Sequence, residues 1–111
     1  MSESSSIEVF LAALGDQQRV SRHTVAAYRR DLLRCQHVLP TLGAPTLAAL
    51  TPPQMRSLVA ALAREGLSGR SIARLLAALR SYYRHLIDAG SLRADPAAGI
   101  RAPKSPRRLP A

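Results

Sequence analysis

The sequence predicts an all-α fold: a compact four-helix domain followed by an extended basic tail. Three observations predict it. Apolar residues recur at steps of three and four in four separate stretches, the spacing of one buried helical face. Each stretch opens on a Ser or Thr and closes on a Gly or Pro, the residue types that start and stop helices. No stretch shows the strict alternation of a half-buried strand, and there is no internal repeat.

Residues 1–5 are polar and expected to fray. Ser6 is placed to cap the first helix, whose residues Ile7, Phe10, Leu11 and Leu14 share one face before Gly15 ends it. After a polar connector, Ser21 caps the second helix. Val25, Tyr28, Leu32, Cys35 and Leu39 form its buried stripe, and Pro40 is expected to stop it. Residues 40–51 read as a loop that Leu47 and Leu50 pin to the core. Thr51 followed by Pro52 opens the third helix, because a proline loses nothing at a position where the N–H is unbonded anyway. Met55, Leu58, Val59 and Leu62 face inward and Gly66 closes it. Ser68 caps the fourth helix, which runs to Gly90. Asp95-Pro96 begins a short turn through Gly99, and Ile100 is the last sizeable apolar anchor. Residues 1–100 are thus assigned to the helical domain. Residues 101–111, RAPKSPRRLPA, carry four cations, three prolines and no acid; they read as a basic linker, leading to a further domain.

The fourth helix is the most polarised. Ile72, Leu75, Leu76, Leu79, Tyr82, Tyr83, Leu86 and Ile87 gather on one side, with Arg70, Arg74, Ser81, Arg84 and His85 opposite and Arg80 on the margin. The second helix repeats the design: His23, Arg30, Arg34 and His37 lie away from its apolar stripe, with Arg22 and Arg29 at the edges. The whole chain of 111 residues has a formal net charge of +9, from sixteen Lys and Arg against seven Asp and Glu. So basic and small a chain points to a polyanion, nucleic acid first and a membrane surface second. Lys104 is the single lysine. The arginine bias has two readings, bidentate phosphate and base contact or a GC-rich coding sequence.

Ordinary surface helices mix charge signs to gain pairs one turn apart, and these two faces barely do. Arg-bearing helices suit the major groove of DNA, and capped helix starts suit phosphates. RNA is less favoured, since exposed stacking aromatics are missing. A membrane-surface helix needs its apolar face free, whereas four complementary stripes bury one another. A non-catalytic helical protein-interaction module is the alternative reading of the same faces.

Catalytic constellations are absent from the pattern. The seven acids are scattered, His23, His37 and His85 have no metal-ligand spacing, and Gly66 to Gly69 reads as a helix stop and start, not a phosphate loop. Neither a cofactor nor a metal is expected. Tyr28, Tyr82 and Tyr83 fall on or beside buried stripes. Cys35, the one cysteine, lies on the apolar side of its helix and rules out an intrachain disulfide. No apolar run reaches the length of a membrane span, and the acidic start is unlike a secretory signal. The expected location is cytoplasmic, at the nucleoid.

Three blocks, SRHTVAAYRRDL from Ser21, GLSGRSIARLLAALRSYYRHL from Gly66 and DPAAGIRAPKSPRRLP from Asp95, resemble in order and spacing the N-terminal domain of tyrosine recombinases of the Xer type. The resemblance implies a SAM-like core-binding domain that clamps a recombination half-site of double-stranded DNA. The catalytic residues would then lie in a separate C-terminal domain, so that this chain alone is not an enzyme. It further implies a tetramer on DNA with a second recombinase, the isolated domain being monomeric. Carried onto this sequence, the family pattern is matched around the second helix by Ser21, Thr24, Arg29 and Arg30, and the charge pattern adds Arg22 and Arg34 to the DNA-binding candidates. In the fourth helix it is matched by Ser68, Arg70, Ser71, Arg74 and Arg80, and the charge pattern adds Arg84 there and Lys104 in the tail. Arg70, Arg74, Arg30 and Arg34 are expected to contact phosphates or bases, and Thr24 and Ser71 to donate to phosphates. Arg80 has a second expected role, pairing with Asp31. Asp95 and Ala111 depart from the family's usual Asn and Lys, Asp95 remaining able to cap the final turn.

Overall fold

The computed structural model describes residues 2–104, in which four helices follow one another: α1 (Glu3–Gly15), α2 (Arg22–Leu42), α3 (Pro52–Arg64) and α4 (Gly69–Asp88). No strand occurs among the described residues. Residues 101–104 are coil, and the rest of the expected linker, from residue 105 onward, lies outside the described residues.

Four N-caps set the helix starts. The hydroxyl oxygens of Ser2, Ser21 and Ser68 each accept from the backbone N–H three residues on, at 3.1–3.2 Å. At α3 the arrangement is reciprocal: Thr51 accepts from the Gln54 N–H at 3.3 Å, and the Gln54 side chain accepts from the Thr51 N–H at 2.9 Å. Each such cap stabilises its helix by about 1 kcal/mol, because it satisfies an N–H that has no partner within the helix.

Two boundaries differ from the sequence reading. The first helix starts at Glu3 with Ser2 as its cap, not at Ser6. The serine run offers several caps, and the one used is decided by Glu3. Its carboxylate accepts from the Leu47 and Ala48 N–H groups at 2.6 and 3.2 Å and draws the extra turn onto the loop before α3. Pro40 does not stop α2, which runs on to Leu42. Proline's fixed φ suits a helix, and at an exposed site in the last turn its missing N–H forfeits one bond only. Termination falls to Gly43, in the left-handed region at φ 71°. There the Gly43 and Ala44 N–H groups bond back to the Pro40 and Leu39 carbonyls, both at 3.3 Å.

α4 is the central element, contributing Ile72, Leu75, Leu76, Ala78, Leu79, Tyr82, Tyr83 and Leu86 to the core. Ile7 and Leu11 of α1, Leu32 and Cys35 of α2, and Met55, Leu58 and Leu62 of α3 close around it. Leu47 and Leu50 are buried, as the loop reading expects. Full burial of a leucine or isoleucine contributes roughly 1.5–3 kcal/mol, so this aliphatic cluster is the main source of stability. The Tyr83 hydroxyl donates to the Leu47 carbonyl at 2.7 Å and that of Tyr82 to Glu3 at 3.4 Å. Burial pushes both phenols up from their ordinary values, and it does the same to the Cys35 thiol. All three are packing residues.

His85 is the exception on α4. The helical wheel puts it opposite the core, but α1 covers that flank, and its ring lies half-buried with its centroid 5.6 Å from that of Phe10.

Candidate nucleic-acid interface

Helices α2 and α4 leave one face each uncovered, and most of the nominated cations stand there. Arg22 is the first residue of α2 and Arg70 the second of α4. Neither helix has an acid in its first turn. A cation there opposes the helix dipole, whose positive end calls for negative charge. Both arginines are exposed and, among the described residues, have neither an ion pair nor a hydrogen bond; the same holds for Arg30 and Lys104.

The caps place the nominated hydroxyls. Ser21 and Thr24 are bonded to each other at 3.1 Å, and the Ser68 hydroxyl donates to Ser71 at 3.1 Å. All four side chains thus stand at the starts of α2 and α4, beside the unpaired N–H groups of the first turns.

Other cations are already engaged. The Arg74 guanidinium grips Asp31, Nε to Oδ2 at 3.0 Å and Nη2 to Oδ1 at 2.9 Å. Asp31 is the one buried charged residue among those described, 5% accessible, whereas the Arg74 side chain remains 53% accessible. The carboxylate holds the Arg74 guanidinium above its ordinary pKa. This pair fastens the first half of α4 to the middle of α2. It also corrects the expectation that Arg80 pairs with Asp31. Arg80 turns the other way, and its guanidinium donates to the carbonyls of Ala97 and Ile100. Asp95 caps the same turn, its Oδ1 accepting from the Ala97 N–H at 2.7 Å. Arg34 reaches Glu65 at 3.4 Å, and Arg29 reaches Glu8 at 2.6 Å. The Glu8 contact holds its carboxyl below the usual carboxylate range and raises Arg29. Arg84 pairs with Asp88 one turn on, at 3.3 Å.

The nominated residues therefore divide. Arg30 and Arg34 share a groove of about 820 Å³ between α2 and α3 with Leu33, His37, Ala61 and Arg64. Arg74, bonded to Asp31, joins α2 to α4, which carries Arg70 one turn earlier. Arg80 belongs to the turn at residues 95–100. Arg84 lines a small recess against α1, with Phe10, Gln17 and Ser81. Sequence reasoning missed Arg64 and Leu33 in the groove. Arg64 reads as a helix end, and only the packing of α3 on α2 brings it there. Leu33 was legible as an apolar residue on a polar face.

Among the described residues no group of His, Cys, Asp and Glu is placed to hold a metal, and no helix is long and apolar enough to cross a membrane.

The family model described as "Phage integrase, N-terminal SAM-like domain" matches residues 7–90. Curated relatives named "Tyrosine recombinase XerC" align along nearly the whole chain. That of Azotobacter vinelandii is 44% identical over 104 residues, covering 94% of this chain and 35% of the relative. That of Pseudomonas aeruginosa is 44% identical over 104 residues, covering 94% and 34%. That of Xanthomonas campestris pv. campestris is 45% identical over 106 residues, covering 96% and 33%. The chain thus spans about a third of the length of the curated relatives it matches. No solved structure gives a significant match.

Proposed function

The chain belongs to the phage integrase N-terminal SAM-like domain family, and from that premise we propose that it is the DNA-binding N-terminal domain of a XerC-type tyrosine recombinase, seated on one side of a recombination half-site. Residues 1–100 form the binding domain and residues 101–111 the connection to a catalytic domain outside this chain. Strand cleavage and rejoining belong to that other domain, and this part supplies affinity and position. In the full recombinase four protomers, of this and a second kind, assemble on DNA at the nucleoid, while the isolated domain is monomeric.

The observation that carries the reading is the distribution of cations on α2 and α4. Arg22, Arg30 and Arg70 are exposed and unpaired among the described residues, two of them in first turns that hold no acid. A phosphate placed there meets guanidinium, unpaired N–H groups and the helix dipole together. Ser21, Thr24, Ser68 and Ser71 stand at the same two helix starts as short-range donors. Arg34, Arg74 and Lys104 add positive charge at the margins, Arg74 through the edge of its guanidinium that Asp31 leaves free. Arg80 acts on structure first, because backbone carbonyls hold its guanidinium, while Arg84, paired on the surface with the exposed Asp88, adds charge at the margin.

The test is binding to a labelled mixed-sequence duplex, followed by anisotropy between about 50 and about 200 mM salt. Each phosphate contact releases counterions, so affinity should fall steeply with salt, and replacing Arg22, Arg30 and Arg70 with Ala should lower the logarithmic slope by about one each. Binding that ignores salt, or an unaltered slope in the triple variant, would overturn the reading in favour of a protein-interaction module.

A further inference from the structure

Leu33 interrupts the charge pattern of α2. It is 52% accessible and, with Val9, one of two large apolar side chains left exposed among the described residues. A lone exposed leucine ordinarily needs no explanation. Leu33 differs in its setting. Arg29 and Arg30 lie one turn before it, Arg34 beside it and His37 one turn after. Two of these cations are anchored to opposite sides, Arg29 by Glu8 of α1 and Arg34 by Glu65 at the end of α3. Arg30 and His37 remain exposed and unpaired among the described residues. The leucine thus stands bare on the wall of the α2–α3 groove, with cations around it. Val9 lies on α1, which carries no cation of its own, and the one cation brought beside it, Arg29, is held by Glu8.

Resting on the DNA-binding reading above, we propose that Leu33 is a specificity-determining residue that packs on the C5-methyl group of a thymine in the major groove. The edges of the base pairs in that groove present donors and acceptors at every step, and the thymine methyl is the apolar group among them. An isolated apolar side chain amid cations matches a surface that is anionic overall and apolar at single points. A protein-docking surface is far broader, burying roughly 800 Å² on each partner around an apolar centre several side chains wide. Phosphate contacts from Arg22, Arg30 and Arg70 position the helix but carry no sequence information. Leu33 supplies discrimination where those contacts cannot.

The experiment selects duplexes bound by the full chain from a random-sequence pool, then compares each enriched duplex made with thymine against the same duplex made with uracil, which lacks the methyl. For the wild-type chain, uracil at one enriched thymine position should lower affinity about fourfold, the worth of one buried methyl group. Leu33→Ala should bring that ratio to about one and lose the preference for thymine there, while Leu33→Met retains both. Thermal unfolding should be unchanged in either variant, as the side chain is outside the core. An unchanged motif and ratio in Leu33→Ala overturns the proposal, leaves duplex binding standing and returns the leucine to a protein partner. Failure of the wild-type chain to bind any duplex overturns the DNA-binding reading itself.

Discussion

The Arg74 guanidinium closes on the Asp31 carboxylate through two hydrogen bonds, at 3.0 and 2.9 Å, joining α4 to α2 across a boundary where one partner is buried and the other half exposed. This asymmetry decides what each truncation does. Arg74→Ala leaves a carboxylate in an apolar setting without a counter-charge, a change that costs about 3–5 kcal/mol for fully buried pairs. Solvent at the half-exposed arginine lowers the expectation to roughly 2 kcal/mol. Asp31→Ala leaves an arginine that turns into water, and should be milder. Urea unfolding of both variants and of the double variant checks the order: the double variant should be more stable than Arg74→Ala alone.

Glu3 should behave as a structural anchor although it sits near the chain's start. Its carboxylate accepts from Leu47 N–H, Ala48 N–H, the Gln36 amide and the Tyr82 hydroxyl. Glu3→Ala leaves two backbone donors of a half-buried loop unbonded, with a loss of about 1–3 kcal/mol. Amide exchange at Leu47 and Ala48 should accelerate more than exchange at the core of α4; uniform acceleration would count against a local anchor.

Arg80→Ala should separate structure from binding. The variant frees the carbonyls of Ala97 and Ile100 that the guanidinium now holds. Stability should fall by about 1–2 kcal/mol and amides around residues 97–100 should exchange faster. The salt dependence of duplex binding should match that of the wild-type chain, whereas Arg70→Ala should reduce it with little change in stability.

Alkaline pH should weaken the fold through the two core tyrosines. Burial raises the Tyr82 and Tyr83 phenols in the folded chain, Tyr82 further through Glu3. In the unfolded chain phenols ionise near pH ~10. Above that pH the unfolded chain holds fewer protons than the folded one, so stability falls as pH rises. The contribution is intact below about pH 10 and lost progressively above it. Urea midpoints measured from about pH 8 to about pH 11 should decline, and the Tyr82→Phe, Tyr83→Phe double variant should decline less.

Much of the fold was legible because helix periodicity and capping are local. The Ser21, Thr51 and Ser68 starts, the stripes of all four helices apart from Ile87, which stays half-buried outside the core, and the burial of Tyr82, Tyr83, Leu47 and Leu50 follow from residues within one or two turns of each other. The starts and stops that were misread involve distant partners. Glu3 extends α1 because its acceptors are wanted by Leu47 and Ala48, forty-odd positions along the chain. Pro40 is tolerated because Gly43 lies just beyond it to make the turn. The candidate site was legible as charge but not as geometry. A helical wheel places Arg74, Arg80 and Arg84 on or beside one polar face, and cannot say which carboxylate or carbonyl will claim each.

By itself the sequence determined that the chain folds as four amphipathic helices, that two of them carry arginine away from the core, and that its blocks resemble the N-terminal domain of tyrosine recombinases. Periodicity, caps and net charge are properties of the chain before it folds, so they survive in any arrangement. The tertiary structure alone decided which of those arginines remain available. Packing α4 on α2 gives Arg74 to Asp31, closing the 95–100 turn gives Arg80 to two carbonyls, and seating α1 and α3 beside α2 gives Arg29 and Arg34 to Glu8 and Glu65. Arg22, Arg30 and Arg70 are left outward, because no acid of the described chain is brought within reach of them, and Leu33 is left bare among the cations of α2.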